Sequence, residues 1–182
     1  MSLEMARGVP PLRAMAHPVR LRILSLTTGA AMSAVEIAHE LGIAHAAASY
    51  HARKLADAGL LQVVEAPGAR VGRGRPPVRY RYVASLRSRL DRSDGTDALW
   101  SATAQDIARC LRARTRHRVG AAAEVWMAPA EFEKICLLAE QISALIHKHA
   151  RPPRTAGAVH GSVTVLVFEL ASESTRQHGR GA

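Results

Sequence analysis

The side chains best placed for chemistry lie between Ala44 and Ala58. His45, Ser49, Tyr50, Arg53 and Lys54 fall on one side of a helix at these spacings, with Ala46 among them. Ala48, Ala52 and Leu55 fall on the other. Small residues where a backbone must come close, beside donors and cations, suit contact with base edges and phosphates in a major groove. A solvated helix in a small bundle would show a similar profile. What surrounds the segment separates the two readings.

The elements that must hold it are legible on both sides. Ser33 is an N-cap and Glu36 stands three residues on, the spacing of a capping box. Val35, Ile37, Ala38 and Leu41 form the apolar face of a short helix. Gly42 permits the positive φ of a tight turn, and a second helix runs from 44 to 58 until Gly59 stops it. Upstream, apolar positions from Leu12 to Leu26 predict a helix broken near His17 and restarted at Pro18, ending at Gly29. Arg20 and Arg22 lie on its polar side, within reach of phosphates. His17 suits a capping role better than a phosphate contact.

After Gly59 the period changes to two. Leu61–Glu65 and Val78–Val83 read as paired strands around a glycine- and arginine-rich loop, 66–77. A helix-turn-helix followed by such a hairpin is a winged helix. Arg70, Arg73, Arg75 and Arg79 gather in and beside the wing. Arg73-Gly-Arg-Pro76 has the core of an AT-hook, in which glycine lets the chain lie flat in a narrow minor groove between arginines. The plainer alternative is a flexible turn.

Charge points the same way. The 182-residue chain has a formal net charge of +10, and only Lys54, Lys134 and Lys148 are lysines. Residues 1–92 carry 14 Lys or Arg against 6 Asp or Glu, and residues 93–182 carry 11 against 9. The polyanion-facing surface is therefore expected in the first half. No run of 18 apolar residues suggests a membrane span, and Pro10, Pro11 and Arg13 interrupt any leader-like apolar core. Cys110 and Cys136 sit in apolar helical patterns and read as reduced packing residues of a cytoplasmic protein.

The second half is less explicit. A helix is predicted from Thr96 to about Val119, with Leu99, Trp100, Thr103, Ile107, Cys110 and Leu111 as a stripe for dimerisation or for packing within the chain. Another runs from Pro129 to about His149 and buries Phe132, Ile135, Cys136, Ala139, Ile142, Leu145 and Ile146. Residues 163–170 form a strongly apolar strand, to be paired with 121–127 or with a second subunit. Trp100, Trp126, Met127 and Phe132 read as core rather than as the lining of an effector pocket.

Met15–Leu24, Ala34–Ile43, Ala48–Leu55 with Ala58-Gly-Leu60, Arg73–Pro76 and Tyr80–Tyr82 together resemble the ArsR-type winged-helix transcriptional regulators over roughly residues 12–83. The resemblance implies a homodimer on a partly palindromic operator, usually repressing. His45, Ala46, Ser49, Tyr50 and Arg53 match its recognition helix, and Arg73 and Arg75 its wing. Metal-sensing members carry paired cysteines at the recognition helix or an Asp/His set further on. This chain has neither, and His147 and His149 are too close in sequence to chelate from one helix face. No metal or cofactor is expected.

The expected protein is thus mainly α (α+β). A tail (1–11) leads to a winged helix-turn-helix (12–83), a linker (84–96), a helical dimerisation or effector region with one or two short strands (97–170) and a disordered tail (171–182). Its partners are double-stranded operator DNA and itself, not a membrane, with a small-molecule effector left open. It would sit in the cytoplasm at the nucleoid. The alternative is an architectural nucleoid protein binding DNA by charge and shape. No nucleophile–base pairing or phosphate-cradling loop suggests an enzyme.

Overall fold

In a computed structural model, residues 11–64, 78–83, 96–116, 119 and 122–170 are described. The expected N-terminal tail, wing loop and linker, and residues 171–182, lie essentially outside them.

The chain starts with α1 (Pro11–Met15) and turns at Ala16 and His17 into α2 (Pro18–Gly29). Proline opens α2 where its missing N–H is no loss. The His17 side chain supplies the cap, its Nδ1 accepting from the Val19 amide at 3.1 Å. Next come β1 (Met32–Ser33), α3 (Ala34–Leu41) and α4 (His45–Asp57). The capping box is present in full. The Ser33 hydroxyl accepts from the Glu36 amide, and Glu36 Oε2 accepts from the Ser33 amide at 2.7 Å. Gly42 turns the chain into α4 at φ 66°, the left-handed conformation that L side chains resist. Of the expected apolar face of α3, Ile37 and Ala38 are buried and Leu41 half-buried, but Val35 faces solvent.

Strands β2 (Leu61–Val64) and β3 (Arg79–Tyr82) pair antiparallel, with Val63 opposite Tyr80. β1 adds to the other side of β3, with Met32 opposite Tyr80, giving the order β1-β3-β2. Ile23, Ile37, Ala48, Ala52 and Leu55 are wholly buried at the centre, with Leu60, Leu61 and Tyr80 closing the sheet side. The architecture is a winged helix-turn-helix followed by a helical C-terminal half.

That half departs from expectation in three ways. First, α5 (Thr96–Ala113) ends well before Val119. Between Leu111 and Val119 there is no large apolar side chain to bury, and Arg112 and Arg116 would repel at i,i+4. α5 lies against α1 and α2, so Leu99 and Ala102 are buried inside their own subunit, while Trp100 and Leu111 point outward. Second, α6 (Pro129–His149) has the expected bounds but no buried residue. Phe132, Cys136 and Ala139 are half-buried, whereas Ile135, Ile142, Leu145 and Ile146 are exposed. Third, the described residues of 121–127 and 163–170 form no strand. A strand needs a neighbour's backbone groups, and neither segment pairs with another among the described residues. Trp126 and Met127 are exposed, so the four residues weighed as a pocket do not form a common core.

α6 is nevertheless tied to the winged unit. Its His147 ring stacks on Tyr82 at 5.3 Å between centroids. The following chain passes so close to the end of α2 that a side chain on Gly29 would collide with the Arg151 carbonyl. Arg154 then reaches Glu40 of α3 at 3.0 Å.

Candidate nucleic-acid interface

α4 is held by its inner face. Ala48, Ala52 and Leu55 are fully buried, and their small size lets the helix sit close to α2 and α3. Ala47, His51 and Ala56 lie half-buried on its flanks, and the remaining side chains face outward. His45, Ala46, Tyr50 and Arg53 are exposed, and Ser49 and Lys54 are half-exposed. This row runs along one side of the helix, with Arg53 Nε bonded back to the Ser49 carbonyl at 3.3 Å. Lys54 Nζ lies 5.9 Å from the Tyr50 ring centroid, a cation–π contact that steadies both side chains. The structure therefore brings the expected recognition residues together on one open surface.

Beside the row lies a group that the sequence reading missed. The rings of His17 and His51 are 4.6 Å apart, and Tyr50 meets His51 edge-on at 5.2 Å. Arg20 joins them, coupling electrostatically to both histidines and to Tyr50. Burial, then the nearby Arg20 charge, holds His17 below its ordinary pKa. Burial, then His17 and Arg20, does the same to His51. Both rings are thus neutral at pH 7. Burial also lowers Arg20, partly offset by Tyr50. Arg20 Nε and His51 Nδ1 are enclosed without a hydrogen-bond partner among the described residues. The only signal that could have found His51 is its i, i+4 distance from Ala47 and Leu55, which puts it on the flank of the buried face rather than in the outward row.

Arg79 has another task. Its guanidinium donates to the Ala31 carbonyl at 3.0 and 3.1 Å and to Glu36 Oε1 at 2.7 Å. It thereby clamps β3 to the start of α3, a fork geometry that suits arginine. Burial alone would raise the Glu36 carboxyl, but the bonds from Ser33 and Arg79 outweigh it and hold the group below its ordinary value. Arg22 is half-buried on α2. Arg70, Arg73 and Arg75 lie outside the described residues.

Among the described residues, no group of three or more His, Cys, Asp or Glu side chains is placed to hold a metal. His147 turns its Nδ1 to the Ser143 carbonyl at 2.6 Å, and the two cysteines are free and half-buried. No helix among the described residues is long and apolar enough to cross a membrane.

Comparison with known proteins bears mainly on this region. No curated protein matches the chain. Among solved structures, the crystal structure of RV1404 from Mycobacterium tuberculosis is 18% identical, with a TM-score of 0.30, covering 84% of this chain and 80% of that one. So loose a likeness does not bear on fold or function. The family model described as "Helix-turn-helix domain" matches residues 15–64, from the end of α1 to the end of β2. That span contains α4 and every described residue of its outward row, so the chain carries a helix-turn-helix domain of the kind used for DNA binding in transcriptional regulation.

Proposed function

We propose that the protein is a sequence-specific transcriptional regulator of ArsR type, a repressor that binds its operator as a homodimer. The observation that supports this most is the division of α4: its alanine and leucine face is wholly buried, and its His45–Arg53 row is open. In this reading α4 enters the major groove. Ser49, Tyr50 and Arg53 meet base edges, and the exposed Ala46 leaves room for a thymine methyl group. Arg20, Arg22 and Lys54 sit on phosphates, which fix register without reading sequence. The wing arginines Arg70, Arg73 and Arg75 follow the adjacent minor groove. Two recognition helices would lie about 34 Å apart, one turn of DNA. The protein acts by binding rather than by catalysis, needs no metal or cofactor, and works in the cytoplasm at the nucleoid. An effector would act through the C-terminal half.

The Arg73-Gly-Arg-Pro76 sequence favours one other reading, an architectural protein that binds by charge and groove shape. Selection of duplexes from a random pool, followed by titration at fixed physiological salt, separates the two. A regulator enriches one partly palindromic site and prefers it over a scrambled duplex by roughly a thousandfold or more. An architectural protein enriches only A·T-rich sequence and binds both duplexes alike. In either case Arg75→Ala weakens binding to all duplexes and reduces the salt slope by about one phosphate contact.

A further inference from the structure

α6 carries two apolar faces. Phe132, Cys136, Ala139, Ser143 and His147 are half-buried against their own subunit. A second row, turned away from that face, consists of Ile135, Leu138, Ile142 and Leu145, which are 40%, 57%, 39% and 57% exposed. Its spacings of three, four and three are those of a coiled-coil seam, in which each side chain fits between those of a facing helix. A shallow groove lined by Gln141, Ala144, Leu145 and Lys148 runs beside it. The last twelve residues of the sequence offer no apolar partner for this row, because 171–182 contain no Leu, Ile, Val, Met, Phe, Tyr or Trp.

We propose that this row is the surface on which a second copy of the chain docks, α6 against α6, antiparallel about a two-fold axis near Glu140. The proposal rests on the homodimer reading above and names its surface. The row is self-complementary about that axis: Ile135 comes opposite the second copy's Leu145, and Leu138 opposite its Ile142. Such a match is what an isologous interface requires. Charge sets the direction. The first turn of α6 holds Glu131, with Glu133 beside it, and the last holds His147, Lys148 and His149. Parallel helices would set acid against acid and base against base. Antiparallel helices bring Glu131 to the second copy's Lys148 and His149 and oppose the two helix dipoles. Lys134, the one cation near the acidic end, is already tied to Glu131 at 2.9 Å.

The test uses the full chain. Size-exclusion chromatography with light scattering should give twice the 19.6 kDa chain mass for the unaltered protein. Leu138→Glu with Leu145→Glu should give the single-chain mass with unchanged helical circular dichroism, since neither residue belongs to the subunit core. Glu131→Lys should raise the dimer dissociation constant about two- to fivefold, and adding Lys148→Glu should restore it. In a background with Cys110→Ser and Cys136→Ala, a mixture of Leu138→Cys and Ile142→Cys chains should form a disulfide between unlike chains, and neither alone should cross-link. A Leu138→Glu, Leu145→Glu protein that stays dimeric would overturn this surface and leave the homodimer reading standing. Cross-linking of Leu138→Cys with itself would overturn the antiparallel arrangement. An unaltered chain that is monomeric up to about 100 μM would overturn both readings, since that concentration is well above the working range of a specific dimer.

Discussion

Helices α4 and α6 both carry an apolar row at helical spacing, yet α4 buries Ala48, Ala52 and Leu55 completely and α6 buries nothing. The difference lies in what each finds nearby. α4 is enclosed by α1, α2, α3 and β2, elements that precede or follow it closely in sequence. Among the described residues α6 packs chiefly on α2 and, through His147, on Tyr82 at the end of β3, laying one narrow face on them. A helix is stabilised mostly by the face it buries. The winged half, with Leu99 of α5, therefore buries its own apolar faces, whereas α6 leaves an apolar row exposed.

The largest test of that contrast is a pair of truncations. Leu55→Ala should cost about 2–5 kcal/mol, because a full side chain leaves a closed core. Leu138→Ala should change the stability of the isolated subunit by no more than about 0.5 kcal/mol, as for most exposed sites. Urea unfolding at low protein concentration measures both. Equal losses would mean that α6 is as well packed as α4.

A smaller effect is expected at the capping box and its clamp. Glu36→Gln should cost about 1 kcal/mol, since the cap and its charge-assisted bonds are weakened while packing stays intact. The loss should appear in thermal unfolding of the winged half and leave the far-ultraviolet signal of α6 unchanged. Loss of α6 signal in step with α3 would show the two regions unfolding as one.

The smallest effect is on pH dependence. His17 and His51 are held below their ordinary value near 6.5. The unfolded chain therefore binds protons first, and stability should fall as pH drops below about 6.5. Protonating Nδ1 of His17 would also remove the α2 cap. Glu36 adds its own loss at lower pH, beneath its ordinary 4.5, where the carboxylate held by Ser33 and Arg79 takes up a proton. Denaturant midpoints between pH 7.5 and 5 measure the first effect. Replacing His17 with Asn, which keeps a capping oxygen, should flatten it, and an unchanged slope would assign it elsewhere.

The contrast also explains what the sequence could reveal. Pro18, the Ser33–Glu36 pair, Gly42 and Gly59 act within a few residues, so α2, α3, α4 and their turns were readable, as was the β2–β3 hairpin. β1 was not, because two residues have no periodicity and Met32 pairs with Tyr80, far along the chain. Arg79 looked like another wing cation. Its bond to Ala31 spans 48 positions, and no local pattern signals it. The outward row of α4 is legible because Ala48, Ala52 and Leu55 recur at helical spacing opposite it, but the His17–Arg20–His51 group depends on how α2 crosses α4. In α6 the periodicity defines an apolar face that the structure leaves largely exposed, since spacing says nothing of what covers a face.

The central claim is that α4 reads bases, and fluorescence anisotropy with Arg53→Ala tests it most directly. The titration compares the selected duplex with a scrambled one of equal length at the same salt. Affinity for the selected duplex should fall about ten- to hundredfold, as when one good base contact is lost, with little change on the scrambled one. An equal fall on both duplexes would place Arg53 on phosphate alone, and no fall on either would remove α4 from the DNA interface.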